Sequence, residues 1–384
     1  MRIAMVNYVA GGHHVVYARD IVRALLHEGH QVVAVGPPEW AHAFSEGASG
    51  ISINLPMIAP GWRRRNSQFR DFVAQCFEAC VAEAVDIVHL MYLDGFIEAV
   101  ARVGLPRQMP VVATLHWYPF LGASLRVPRQ WLKAWYSLKG LSWLDRHGMH
   151  LVVHSEMAAR QLRLAGVANV TSLQYPYSGA MPRATAAVRL HVRDGLGLRD
   201  GDHLLLCFGG TRSDKGVDLA IASLARAGPH YRLLVAGAPH HFDHAALHSL
   251  ASQHGVADRV ILRLEHVPEQ DIPGLFAAAD AIVLPYRPVF TGQSGPLVMA
   301  AALGRPVIAS DVPVLAETVQ RFRLGSLFRT GDADDLARVL QAGLPRTAEA
   351  STAALASAAS PDRFTTDMLG VYEQSHQAPK ATTA

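Results

Sequence analysis

The stretch HLLLCFGGTRSDKGVDLAIASLARAGPHYRLLVAG, His203–Gly237, decides how the rest of the chain is read. His203–Gly210 is a short apolar run that ends on two glycines. A turn carrying Arg212 and Lys215 follows. Asp214–Ala227 then spaces its apolar residues as a helix does, and Tyr231–Gly237 is a second apolar run. Short continuous apolar runs are what a parallel sheet buries on both faces. Strand, helix and strand in this order make a βαβ unit, whose crossover returns parallel to its start.

The same grammar extends in both directions. Downstream, Arg259–Leu264, Asp280–Tyr286 and Pro306–Ser310 read as further strands. Upstream, Arg2–Tyr8, Gln31–Gly36, Val85–Met91, Pro110–His116 and His150–Ser155 do the same, with helical segments such as Val15–His30 between them. Met181–Asp202 reads as a connection. The expected fold class is therefore α/β, with two Rossmann-like doubly wound domains in tandem, each offering a strand edge where ligands bind. The Ala-rich segment Thr347–Ser360 is helical by propensity. Asp362–His376 follows Pro361 as a last ordered piece, and the residues after it are expected to fray.

At 384 residues the chain has room for two ordinary domains. Half of it is hydrophobic and 17% is charged, which excludes global disorder. A formal net charge of +3 is too mild to point to nucleic acid. No apolar run approaches the ~20 residues of a membrane span. MRIAMVNYVAGG reads as a first strand rather than a secretory leader. Three cysteines give no disulfide framework, so a reducing, cytoplasmic setting is expected. Cys76 and Cys80, one helical turn apart, are expected in the core. No metal site is expected.

Four places join a strand end to a loop. Gly11 and Gly12, followed by His13 and His14, suit either a tight turn or a ligand loop. His116 stands just past a buried strand, where a histidine serves a reacting group or sits satisfied in the core; His89 is a weaker version of the same case. Gly209 and Gly210 precede Arg212 and Lys215 at an expected helix start. Two cations there oppose the helix dipole unless an anion such as a diphosphate lies between them. A solvated basic pair is the alternative. Finally Thr291, Gly292, Gln293, Ser294 and Gly295 precede Pro296, a residue suited to the first helical turn. Their N–H groups suit phosphates, and Ser294 equally suits a plain helix cap.

Taken in order, NYVAGGHH, VDIVHL, VVATLH, LVVHSEMAARQL, FGGTRSDKGVDLAIASLA, YRLLVAG, IPGLFAAADAIVLPY and ALGRPVIASDVP resemble a GT-B glycosyltransferase, most closely family 4, over nearly the whole chain. The resemblance implies an N-terminal domain over 1–182, completed by 361–384 crossing back, and a donor domain over 183–360, facing each other across a donor cleft. It implies transfer from a nucleotide sugar (UDP-, GDP-, dTDP- or ADP-linked) to an acceptor hydroxyl or amine, with retention and no obligatory metal or other cofactor. Gly11 and Gly12 would approach the donor, His116 would face the sugar, and Arg212 and Lys215 would neutralise the diphosphate beside Gly210. Val267–Ile272 would lie near the base. A pseudo-glycosyltransferase or a non-catalytic nucleotide-sugar binder on the same fold is the alternative.

One departure stands out. Aligned on Gly304-Arg305-Pro306-Val307, the glutamate pair common in the family falls at Thr291 and Met299, so both carboxylates are absent while GQSGPL remains. The acceptor is left open among small molecules, glycans and lipid-linked compounds. Pro60–Phe69 is an aromatic, basic loop suited to an anionic surface. Trp131 and Trp135 share a helix face that is expected to pack on the sheet, with peripheral membrane contact at the inner face as the alternative.

Overall fold

The computed structural model describes residues 1–8, 13–44, 46–55, 62–121, 128–177 and 183–377. The chain divides into two compact units. The first is Met1–Ser178 with Ala359–Ala384; the second is Gly179–Ala358.

The N-terminal unit contains β1 (Arg2–Val6), β2 (Gln31–Gly36), β3 (Ser49–Ser52), β4 (Ile87–Leu90), β5 (Val111–Leu115), β6 (Met149–Val153) and β7 (Val170–Ser172). They form one sheet in the order β3-β2-β1-β4-β5-β6-β7, and every pairing is parallel. The central strands are buried on both faces, which is why they read as continuous apolar runs without alternation. The helix Pro361–Gln377 packs against the helix His13–His27. Phe364, Met368, Val371 and Tyr372 enter the same core as Ile3, Met5 and Tyr17. The last helix thus crosses back to complete the first unit, as the resemblance implied. Cys76 and Cys80 are buried in this unit as free thiols.

The C-terminal unit contains β8 (His203–Phe208), β9 (Tyr231–Ala236), β10 (Val260–Arg263), β11 (Ala281–Leu284), β12 (Val307–Ser310) and β13 (Gly325–Phe328). Their order is β10-β9-β8-β11-β12-β13, again parallel throughout. In each sheet the order reverses beside the first strand, between β1 and β4 and between β8 and β11. Connections leave in opposite directions at such a point, and a crevice opens outside the carboxyl ends of the two strands. Gly209–Lys215 and Thr291–Gly295 follow the strands that flank the C-terminal reversal, β8 and β11, while His116 follows β5, one strand beyond the N-terminal one.

Two expectations need correction. The helix expected over Asp214–Ala227 begins at Val217, preceded by a 3-10 turn, Ser213–Lys215. Gly216 breaks the two at φ 63°, and a Cβ there would lie 2.0 Å from the Pro285 carbonyl oxygen, so only glycine fits. Arg212 and Lys215 therefore precede the helix rather than open it. Trp131 and Trp135 do not pack on the sheet. On the helix Pro128–Arg146 they are 46% and 44% exposed, while Ala134, Leu141 and Leu144 face inward.

Candidate functional site

At the C-terminal switch point, β8 runs into Gly209, Gly210 and Thr211. Thr211 is fully buried. Its hydroxyl donates to the Phe242 carbonyl at 2.6 Å and accepts the His240 N–H at 2.9 Å, fixing this loop to the one after β9. The backbones approach so closely that a Cβ on Gly237 would lie 2.4 Å from the Gly209 carbonyl oxygen. A Cβ on Gly209, at φ 105°, would lie 2.6 Å from Lys215 Nζ. The glycine therefore makes the space in which the ammonium rests, over the end of the strand.

Lys215 Nζ lies 5.8 Å from the centre of the Tyr286 ring, within cation–π range. Among the described residues it forms no ion pair with a carboxylate. Burial, reinforced by the neighbouring Arg212, lowers its pKa to about 8. Arg212 donates from Nε to Asp214 at 2.9 Å and from its terminal nitrogen to the second Asp214 oxygen. Burial alone would raise the Asp214 carboxyl, but the Arg212 guanidinium, with Lys215, holds it below the usual range. Two cations and one carboxylate leave local positive charge, and among the described residues Lys215 is the one of the two cations that makes no ion pair with Asp214.

The Thr291–Gly295 turn lies beside the carboxyl end of β11. Thr291 and Ser294 are buried at 7% and 3% exposure. Ser294 Oγ accepts the Leu297 N–H at 3.3 Å and meets the Tyr286 hydroxyl at 3.1 Å. Ser294 is thus the cap of the helix Gly295–Ala302, the plainer of its two sequence readings. Space is open around Gly295. Gly292 and Gln293 lie in the same turn. Met299 is half-buried on the first turns of that helix, and Val267 is half-buried in the loop after β10. The structure thus brings Gly210, Arg212, Lys215 and the 291–295 turn to the ends of adjacent strands, and sets Val267 two strands away.

In the N-terminal unit His116 follows β5 directly and is 4% exposed. Its Nε2–H donates to the Met91 carbonyl at 3.0 Å, which fixes that nitrogen as a donor. Its ring stacks on Tyr92 at 3.6 Å between centroids and 8° between planes, with Tyr17 edge-on at 5.0 Å and His154 at 5.2 Å. Burial lowers the pKa of His154 to about 4, so this ring is neutral at pH 7. His14 lies against Tyr92 at 3.8 Å. Gly11, Gly12, Pro60 and Gly61 lie outside the described residues, as do the side chains of His13 and of residues 62–66; the loop expected over Pro60–Phe69 is instead helical from Trp62, where the helix Trp62–Ala82 begins.

Asp94 was not legible from sequence as a site residue. Its carboxylate accepts the backbone N–H of His116 at 3.0 Å and that of Trp117, anchoring the loop that carries His116. Burial raises its pKa to about 6 even against those donors. The only hint was a lone Asp just past the strand-like VDIVHLM. His89 is corrected in the opposite sense. It lies inside β4 with no exposure. Nδ1 meets the Tyr372 hydroxyl at 2.7 Å and Nε2 meets the Thr114 hydroxyl at 2.8 Å. Burial lowers its pKa to about 3. It is a satisfied core histidine.

Comparison with known proteins agrees with this architecture. Residues 11–172 match the family model Glycosyltransferase Family 4, and residues 202–344 match Glycosyl transferases group 1. Sucrose-phosphate synthase from Thermosynechococcus elongatus superposes with a TM-score of 0.77 at 18% identity, covering 97% of this chain and 98% of that one. HepE from Anabaena, solved with UDP, gives 0.75 at 16% identity, covering 97% and 100%. The lipopolysaccharide core biosynthesis mannosyltransferase LpsB of Rhizobium meliloti is 32% identical over 183 residues, 44% of this chain and half of that protein's length. Two parallel-sheet Rossmann-like units of this kind define the GT-B class. Within that class, the two domain matches make the chain a GT-B glycosyltransferase resembling family 4.

Proposed function

We propose that the protein transfers a sugar from a nucleotide-sugar donor to an acceptor hydroxyl or amine. The observation that carries this reading is Lys215: an ammonium over Gly209 at a topological switch point, with Arg212 beside it and no ion-paired carboxylate of its own. A desolvated cation in that position is costly alone and favourable once an anion arrives. A donor diphosphate is such an anion. As the bond between the sugar's anomeric carbon and the phosphate oxygen breaks, the electron pair moves onto the diphosphate and Lys215 and Arg212 meet the new charge. The acceptor oxygen or nitrogen bonds to the anomeric carbon from the same face, with retention, and its proton passes to the departing diphosphate. His116 supports the sugar. The protein cations supply the positive charge, so no metal is obligatory, and turnover in EDTA tests that point.

The UDP in the HepE complex supports a nucleoside-diphosphate sugar as the donor. The glycan acceptor implied by the LpsB name is the starting point for the acceptor. We place the reaction in the cytoplasm, at the membrane surface when the acceptor is lipid-linked. A second reading, a nucleotide-sugar binder or pseudo-glycosyltransferase, draws on Thr291 and Met299 at the positions of the family's usual carboxylates.

A thermal-shift panel of UDP, GDP, dTDP and ADP sugars tests the assignment, because a ligand of the folded state raises the melting temperature by mass action. A selective shift with slow nucleotide release supports transfer. A shift without turnover supports the second reading, and no shift with any donor removes both.

A further inference from the structure

The turn that carries Arg212 and Lys215 has glycine at both ends. Gly209 and Gly216 hold φ values of 105° and 63°, and a short segment hinged on glycines keeps little shape of its own. Two neighbouring loops fix it. After β11, Arg287 donates from Nε to the Ser213 carbonyl at 3.0 Å and from its backbone N–H to the Asp214 carbonyl at 2.8 Å. After β9, His241 holds the other side: its Nδ1 accepts the Ser213 N–H at 3.2 Å. Backbone pairing brings His241 there. Thr211 N–H donates to the Ala238 carbonyl at 3.2 Å, and the Thr211 carbonyl accepts the N–H groups of His241 at 3.1 Å and Phe242 at 3.2 Å.

The Ser213 contact selects a tautomer. A backbone N–H can only donate, so Nδ1 of His241 is its unprotonated nitrogen. His240 Nδ1 lies 3.2 Å from the same atom, so a proton between the two rings belongs to His240. His240 can therefore take up a second proton and keep this contact, whereas His241 cannot. An imidazolium has an N–H at both nitrogens, and at His241 it would set donor against donor at Ser213. The other charged groups around it are Arg212 and Asp214, which flank Ser213 in the chain, Arg287 at the Ser213 carbonyl, and Asp243, which caps the next helix by accepting the Ala246 N–H at 2.8 Å. A guanidinium stays protonated in proteins, so of the two side chains that hold Ser213 only His241 can be released by acid.

We propose that His241 is a positioning residue for the diphosphate site: as a neutral imidazole it holds the Ser213–Lys215 turn in the shape that presents Lys215 and Arg212 to an anion, and its protonation releases that turn. The inference rests on the diphosphate reading above and adds an acid limit to it. Lys215 sets the alkaline limit, because its ammonium loses the proton at about 8.

Hydrogen exchange and inorganic pyrophosphate binding, both on the full-length chain, test it. Exchange reads the turn without a ligand. His241→Ala should speed exchange of the Ser213 amide by roughly threefold to tenfold, the scale of one hydrogen bond. His241→Asn puts a carbonyl oxygen where Nδ1 stood, an acceptor at any pH, and should restore the wild-type rate. Pyrophosphate carries the diphosphate charge without base or sugar, and thermal shift gives its affinity. From about pH 7.5 to about pH 5.5, a range in which histidines take up their proton, wild-type affinity should fall roughly threefold to tenfold further than that of His241→Asn. Protonation of pyrophosphate itself is common to both proteins and cancels in that comparison. His241 is exposed, so both variants should keep the wild-type melting temperature. Unchanged Ser213 exchange in His241→Ala, or the same pH dependence in wild type and His241→Asn, overturns the positioning role and leaves the diphosphate reading standing. No pyrophosphate binding by the wild type at any pH overturns both.

Discussion

At the carboxyl edge of β4 and β5 the N-terminal unit gathers His116, Tyr92, Tyr17 and His154, with Asp94 holding the backbone beneath them. At the carboxyl ends of β8 and β11 the C-terminal unit sets Lys215 and Arg212 over close-packed glycines. Both sheets reverse order at the same place in their topology. One edge is aromatic and internally hydrogen-bonded; the other holds two cations, of which only Arg212 makes an ion pair with a carboxylate among the described residues. His116 follows β5, one strand beyond the N-terminal reversal, whereas Lys215 and Arg212 follow β8 at the C-terminal one, and the residues at each edge decide whether it orients a group or stabilises an anion. Four experiments can break or sharpen that contrast.

The largest effect is expected at Lys215. Lys215→Ala should reduce donor turnover by roughly 100- to 1,000-fold, the scale of losing one charge-stabilising donor. Arg212→Ala should cost less, because Asp214 already shares that charge. Steady-state kinetics check both, and full activity in both variants would end the diphosphate assignment. Donor affinity should also fall as pH rises through about 8, because the ammonium loses its proton there. Stability runs the other way. The folded value is depressed below the ordinary 10.5, so burying the protonated form costs stability at pH 7. Lys215→Met should then raise stability by about 1–3 kcal/mol while removing activity, a pairing that a merely structural lysine would not show.

Asp94 is next. Asp94→Ala removes the acceptor for two backbone donors and should cost roughly 1–3 kcal/mol of stability, with turnover reduced about tenfold or more through misplacement of His116. Asp94→Asn, which keeps one acceptor oxygen, should recover part of both. If Asp94→Ala lost stability alone, the loop would have no bearing on the reaction.

Acid should separate the units. Burial lowers the folded pKa values of His89 to about 3 and His154 to about 4, and His30 and His150 move the same way. An unfolded chain takes up those protons near pH 6.5, so the N-terminal unit should lose stability as pH falls from about 6.5 toward 4. Asp94, raised to about 6, opposes this as a single group against several. The lowered carboxyls of the C-terminal unit, Asp214, Asp280 and Asp335, lose their contribution only below the ordinary carboxylate value. Calorimetry at pH 7 and pH 4.5 should therefore show the N-terminal transition moving down first.

The smallest effect is expected at Ser294. Ser294→Ala removes the cap of the helix Gly295–Ala302 at a cost of about 1 kcal/mol. That is a shift of roughly 2–4 °C in the C-terminal transition, with turnover nearly unchanged. A large loss of turnover at unchanged stability would return Ser294 to the donor site.

The sheets were legible because continuous apolar strands and helical spacing are local signals, and the Lys215 cluster because its glycines and cations are contiguous in sequence. Four features were not. Asp94 acts on His116 across a gap in sequence that no periodicity spans. Trp131 and Trp135 share a helix face, but spacing alone does not say which face turns inward; Ala134, Leu141 and Leu144 decide it. His89 looked like a strand-end residue because the partners that bury it, Thr114 and Tyr372, come from elsewhere in the chain. The helix start at Val217 was misplaced because Gly216 adopts a left-handed conformation that the surrounding helical pattern conceals.

The closing helix Pro361–Gln377 also imposes an order on synthesis. His89 and Tyr372 are 283 residues apart, so a nascent chain that has already made β1 to β7 still holds a buried imidazole without its hydroxyl and a core without Phe364 and Met368. The first unit to emerge from the ribosome is thus the last to be completed, and a stop codon before Pro361 would deprive the beginning of the protein rather than its end.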